Sequence, residues 1–246
     1  MKADAIPNIP RIQKGDNIGQ IIADAVLHSH VPLKKGDILC VASKVISTAE
    51  GREVALSDMT AGEVAKRIHK EVPRKDPRVI QKMIDVTGDP SGRRLEVSHN
   101  YIGAWLPNGM RLTSAGIDKI DDDSIMLLPE DADKSAKEIG ETIQRMCNVT
   151  VGVVVTDSDG RIEKKGATQI AIGLYGVPAL RKSETIDSKT GEVKQSFETF
   201  CDLLAASAAL IMGQRGTNRP VVKISGVSYQ FNANSGIRDS LSRSPK

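Results

Sequence analysis

An α+β protein with mixed sheets is the class this 246-residue sequence predicts. Three observations carry that expectation. The run Val151-Gly152-Val153-Val154-Val155 is almost all β-branched and reads as a strand buried on both faces. Pro107-Asn108-Gly109 separates two apolar stretches, a hairpin signal. Helical periodicities are interleaved with both hairpins and crossovers, which fits mixed sheets better than a regular doubly wound one. No internal repeat, low-complexity tract or linker interrupts the chain. The strand count and the interleaved polar loops suggest two lobes, whose boundary composition does not place.

Hydrophobic residues make up 39% and charged residues 26%, ordinary for a globular chain long enough to bury a real core. Aromatics are only 3%, so Ile, Val, Leu and Ala must fill that core, and a base-stacking platform for single-stranded nucleic acid is not expected. The net charge of +3, carried on scattered basic residues, suits an anionic ligand such as a nucleotide rather than DNA. Cys40, Cys147 and Cys201 are isolated, without zinc spacing, and read as buried free thiols of a reducing compartment. No apolar run approaches a membrane span and no secretory h-region opens the chain, so the expectation is a cytoplasmic protein with no membrane partner.

Taken in order, Ile6 to Ile12 is extended and punctuated by Pro7 and Pro10. Ile18, Ile21, Ile22, Ala25 and Val26 line one helix face. Asp37 to Ala42 is a strand, followed by the hydroxyl- and cation-bearing segment Ser43 to Arg52, a polar loop or helix start. Thr60 and Glu63 match a capping box before a helix through Val72. Pro77 opens a second short helix. Asp85 to Ser98 reads as a loop, then Tyr101 to Leu106 and Met110 to Thr113 form the hairpin. Ile125 to Leu128 is a strand, and Asp133 is the expected cap of a helix carrying Ala136, Ile139, Ile143 and Met146. The buried strand then stops at a polar tip, Thr156 to Gly160. Ala167 to Leu180 is a further sheet segment, Ile186 to Val193 a turn, and Phe197 to Met212 a helix that Gly213 stops. Pro220 to Ile224 is the last strand.

Established nucleotide and hydrolase signatures are missing. Nothing fits a Walker motif, a G-x-G-x-x-G helix start or H-E-x-x-H. His28, His30 and His69 lie on or beside surface helices, and His99 is a loop histidine, so a Ser-His-Asp triad is not expected. What remains is two aspartates at element ends, Asp118 and Asp157, a loop with Ser43 and Lys44, and a Gly/Arg-rich loop after a helix. That inventory suits Mg²⁺ or Mn²⁺ with a phosphate chain. The plainer readings stay open at this point: Asp157 as a turn cap, Asp118 and its neighbours as a solvated acidic loop, Ser43 to Arg52 as an ordinary strand-to-helix connection.

Five segments in colinear order resemble the coenzyme F420-0:L-glutamate ligase family, the F420 γ-glutamyl ligases. They are SKVISTAEGR (43–52), AGID (115–118), LLPEDADKSA (127–136), VTDSDGRIEKKGATQIAIG (155–173) and DLLAASAALIMGQ (202–214). The resemblance implies a two-lobed α+β fold in an intertwined homodimer, and GTP, L-glutamate and F420-0 as substrates. It also implies a divalent ion, Mg²⁺ or Mn²⁺, with a monovalent cation as a further candidate. Asp118 and Asp157 would be the catalytic aspartates, and Asp118, Asp157, Ser158 and Gln214 the metal ligands. Nucleotide contacts would fall on Ile9, Pro10, Arg11, Ile12, Ser43, Lys44, Thr48 and Asp121. The remaining contacts would come from the loop Met212, Gly213, Gln214, Arg215, Gly216, Thr217, Asn218 and Arg219.

The chain departs from that pattern at four places. Ile120-Asp121 stands where the family continues with a Ser-Asn pair, Thr48 replaces a common lysine, Lys165 replaces an arginine, and Gln214 replaces a common glutamate. Together they leave a second reading, glutamate ligation to another carboxylated pterin- or folate-like cofactor, and Thr48 and Asp121 leave a third, a nucleotide-binding homologue without ligase activity.

Overall fold

The computed structural model describes residues 1–98, 101–214 and 216–242. The chain begins with β1 (Lys2–Ala5), α1 (Ile18–Leu27), β2 (Ile38–Ala42), α2 (Ser43–Ala49) and β3 (Glu53–Ala55). Next come α3 (Glu63–Glu71), α4 (Pro77–Thr87), β4 (Leu95–Ser98), β5 (Tyr101–Trp105) and β6 (Arg111–Thr113). They are followed by β7 (Asp118–Lys119), β8 (Ser124–Met126), α5 (Ala132–Cys147), β9 (Gly152–Arg161) and β10 (Lys164–Tyr175). The last elements are β11 (Arg181–Ile186), β12 (Val193–Glu198), α6 (Phe200–Met212) and β13 (Val221–Ser225). The fold is α+β with mixed sheets, as the sequence predicts.

The central sheet has the order β1-β13-β2-β9-β10, with β2 and β9 parallel and every other pair antiparallel. Val153, Val154 and Val155 are fully buried, as expected of a strand covered on both faces. Smaller sheets β3-β8-β7 and β4-β5-β6 and the hairpin β11-β12 complete the strands among the described residues. Buried Ile, Val, Leu, Ala and Met side chains supply nearly all of the core. Among the described residues no helix is long and apolar enough to cross a membrane.

Local signals work where the chain supplies its own partner. Asn17 caps α1 by accepting from the Gln20 amide at 2.9 Å. Asp76 caps α4 with Pro77 at the first position, and Gly88 closes it in the left-handed conformation. Around Pro107-Asn108-Gly109, the Leu106 amide donates to the Met110 carbonyl at 2.8 Å, closing the hairpin.

Several expectations are corrected. Of the two readings left open for Ser43 to Arg52, loop or helix start, the helix forms, over Ser43–Ala49. The Thr60–Glu63 capping box does not form: α3 starts at Glu63 behind Gly62, without a side-chain cap. Asp85 to Ser98 is not a loop throughout: it begins within α4 and ends in β4, which pairs with β5. Phe197 lies on β12, so α6 starts at Phe200. The cap of α5 is Asp131, whose carboxylate accepts from the Lys134 amide at 3.0 Å. Asp133 turns away and accepts from the Leu174 and Ile237 amides instead, at 2.7 and 3.1 Å. The largest correction concerns the polar tip. β9 runs on through Thr156, Asp157, Ser158 and Asp159 to Arg161, because β10 pairs with it along that length, with Ile170 opposite Asp157. A neighbouring strand satisfies those amides and carbonyls, so the polar composition does not end the strand. Cys40 and Cys201 are buried free thiols, both pushed up to about 12 by burial, whereas Cys147 is only half-buried.

Candidate active site

Sheet register brings the dispersed candidate segments to one end of the molecule. Ala42 of β2 lies opposite Thr156 of β9 in the parallel pair. Val221 of β13 lies opposite Val41, and the Ile6 amide, just past β1, donates to the Val221 carbonyl at 2.9 Å. The chain after β1, the start of α2, the loop before β13 and Asp157 therefore share one end of the sheet. Carboxyl ends of parallel strands are where open sheets place ligands.

At that end Ser43 is the first residue of α2, and its Oγ donates to Asp157 Oδ1 at 2.7 Å. Both residues are buried. Burial pushes the Asp157 carboxyl up to about 7; the Ser43 hydrogen bond opposes this, while the charges of Asp118 and Asp159 raise it further. A second negative charge near a buried carboxylate favours a proton, or a cation, at the buried group.

The apolar run before Asp118 is buried at Ala115 and Ile117, whereas Asp118 itself opens β7 and is exposed. The turn before it explains why. Ser114, Ala115 and Gly116 all have positive φ, at 55°, 57° and 68°, and that run turns the chain back to the surface after the buried Ile117. Two contacts that sequence reading missed hold this turn. The Asp159 carboxylate accepts from the Thr113 amide at 2.7 Å, tying β6 to β9. Lys75 Nζ donates to Ser114 Oγ at 2.8 Å; burial lowers the pKa of this amine, Arg74 adds to the effect, and Asp118 opposes it. No local signal marks either residue, because each acts on a partner more than thirty positions away in sequence.

The other candidates are placed as follows. Lys44 is exposed on α2, and the Thr48 hydroxyl donates back to the Lys44 carbonyl at 2.8 Å. Asp121 accepts from the Asp123 amide and the Ser124 hydroxyl, which hold its carboxyl below the usual range, so this anion serves the turn before β8. Ile9 and Ile12 pack against the core while Pro10 and Arg11 are exposed. Met212 Sδ accepts from Thr156 Oγ1 at 3.8 Å, and the Thr217 hydroxyl donates to the Met212 carbonyl. Gly213 ends α6 at positive φ, and Gln214, Gly216, Thr217, Asn218 and Arg219 follow it toward β13. Arg215 and His99 lie outside the described residues. Strand alternation sends the Ser158 hydroxyl to the face opposite Asp157, so those two side chains are not brought together.

Among the described residues no group of three or more His, Cys, Asp or Glu side chains is arranged to hold a metal. The carboxylate charges of Asp118 and Asp157 bear on one another, and both offer hard oxygen. A divalent cation there would relieve the buried charge at Asp157, so the residues present fit Mg²⁺ or Mn²⁺ better than a thiophilic metal.

Fold and site together define an α+β protein with a hydroxyl-flanked acidic centre at the end of a mixed sheet. The family model described as F420-0:gamma-glutamyl ligase matches residues 7–226, and the chain belongs to that family. It is 30% identical to a protein of Methanopyrus kandleri named coenzyme F420:L-glutamate ligase, over 100% of this chain and 95% of the relative. Proteins of the same name from Methanosarcina mazei and Halobacterium salinarum are 31% and 33% identical, covering 97% and 91% of this chain and 91% and 86% of theirs.

Proposed function

We propose that the protein is a GTP-dependent ligase that joins L-glutamate to F420-0 through an amide bond. The relatives' shared name supports the substrate pair, and the carrying observation is the buried Asp157, held by Ser43 at the sheet end within reach of the Asp118 charge. A carboxylate resists attack by an amine until one oxygen becomes a leaving group. The γ-phosphoryl of GTP passes to a carboxylate oxygen of the acceptor, and GDP departs. The glutamate amine, as the neutral RNH₂, then bonds to the carbonyl carbon, the C–O bond to phosphate breaks with its electron pair leaving on inorganic phosphate, and the nitrogen gives up one proton and keeps the amide N–H.

In this reading Asp118 and Asp157 would hold a divalent cation, with Gln214 as a further, neutral ligand. When bound, the ion offsets phosphate charge and templates the oxygens. Ser43 fixes the Asp157 carboxylate, Lys44 supplies a point charge toward phosphate, and the loop from Met212 to Arg219 borders the nucleotide. The protein acts as a homodimer.

The testing experiment incubates the purified protein with F420-0, glutamate, GTP and Mn²⁺, and follows product mass and GDP. The expected result is one glutamyl mass increment tracking GDP release. GDP release without the adduct points to another carboxylated acceptor, and nucleotide binding without turnover to a binding homologue.

A further inference from the structure

None of the residues expected to touch the nucleotide lines a cavity of about 490 Å³. Its position follows from the sheet. Val153, Val155 and Asp157 share one face of β9. α5 covers that face: a Cβ on Gly140 would meet Val153 Cγ2 at 3.4 Å, and one on Gly173, the partner of Val155, would meet the Ala132 carbonyl carbon at 2.4 Å. The helix thus begins above Val155, two residues or roughly 7 Å short of Asp157. The cavity opens at this end of α5, walled by Ala132 and Ile172 on one side and by Ala115 and Ile117, which lead into Asp118, on the other.

The walls are mixed: Leu106, Pro107, Leu128 and Pro129 supply apolar surface, Arg52, Asn108, Glu130 and Arg238 polar surface, and the volume lies within the range of about 300–1,000 Å³ usual for small-molecule sites. Its carboxylates are mostly occupied: Asp131 caps α5 and Asp133 accepts two backbone amides, leaving Glu130 exposed. Arg52 is held at the wall by Nε, which donates to the Leu128 carbonyl at 3.0 Å, and its terminal nitrogens have no partner among the described residues. Arg238 adds a second cation at an exposed position.

We propose that this cavity binds the acceptor: the apolar walls take its flat ring system, and Arg52 takes an anionic group of its tail, bringing the carboxylate to be activated toward Asp118 and Asp157. The inference rests on the ligase reading for the identity of the acceptor. Glutamate, with only two methylenes and no ring, would leave the proline and leucine surface and most of the volume unfilled. The nucleotide is assigned to residues none of which lines the cavity.

The test compares the wild type with Arg52→Met, Arg52→Lys and Pro107→Trp. Pro107 is an exposed rim residue on a hairpin turn, where added bulk blocks entry without entering the core. F420-0 binding is read from its own fluorescence, GTP–Mn²⁺ binding by calorimetry, and folding by thermal melting. Arg52→Met and Pro107→Trp are expected to weaken F420-0 by about ten-fold or more while GTP affinity and melting hold, with Arg52→Lys recovering part of the loss. If the wild type ligates but both variants keep its F420-0 affinity, the cavity assignment falls and the ligase reading stands. If the wild type binds no F420-0, both fall. Loss of melting temperature in parallel with affinity in all three variants assigns the residues to structure alone and overturns the proposal.

Discussion

Asp157 is a carboxyl group whose protonation the fold sets. Its value in the folded chain, about 7, lies above the ordinary 3.8, so between those two pH values the folded form holds a proton that the unfolded chain has released. The stability this contributes is full below the lower value and is lost as pH rises through the window to about 7. Metal-free protein should therefore lose melting temperature across that range more steeply than Asp157→Asn, which cannot titrate. At pH 8, Mn²⁺ should raise the midpoint of the wild type and leave Asp118→Asn and Asp157→Asn unmoved, both of them inactive. Parallel pH curves for wild type and Asp157→Asn would show that burial at this position is not what the structure indicates, and near-wild-type turnover in both Asn variants would move the metal site elsewhere. Lys44 carries a separate prediction. It is exposed beside Ser43, and Thr48 brings no charge to the same helix. Lys44→Ala should weaken nucleotide binding about ten-fold, roughly 1.4 kcal/mol, in a direct titration; unchanged GTP affinity would remove this residue from the phosphate grip.

At the scale of elements, the contact between α5 and β10 decides how much room the acceptor has. Gly173 lets the carbonyl of Ala132 approach so closely that a Cβ there would lie 2.4 Å from both its carbon and its oxygen. Backbone cannot swing aside as a flexible side chain can, so Gly173→Ala should cost about 1–3 kcal/mol in urea unfolding. It should also weaken F420-0 more than GTP, since the displaced first turn of α5 forms the cavity wall. A variant with unaltered stability would mean that the helix shifts freely, against the close approach seen here. The same element shows what sequence could read. A helix start with acidic residues was legible at 131–133, but the choice between Asp131 and Asp133 was not. The Leu174 and Ile237 amides that draw Asp133 away lie 41 and 104 positions distant.

For the molecule as a whole, apolar exposure is concentrated on α6 and the β11-β12 hairpin. Leu210 is 88% exposed, and Ile186 and Phe197 are 73% and 61% exposed. Every residue of both hairpin strands is exposed, and an isolated two-stranded hairpin is marginal in water. Covering these surfaces with a second copy would bury both. We therefore expect a homodimer in light scattering, weakened by Leu210→Asp, and a monomer mass independent of concentration would rule it out.

What the sequence determined by itself is the local and periodic part. The β-branched run of β9, the apolar stripe of α1, the Pro-Asn-Gly hairpin, the Asp76-Pro77 helix start and the class of mixed α+β fold all follow from neighbours a few residues apart. Only the tertiary structure decided that the polar residues after Val155 continue a strand, because their hydrogen-bond partners come from β10. It also decided that Asp118 is exposed, that Lys75 and Asp159 brace the turn beside it, and that Ser158 faces away from Asp157. A carboxylate, a hydroxyl or an amine carries no record in its own sequence of which distant group will meet it. Sheet register and burial make that choice, and they also set the charge that Asp157 bears.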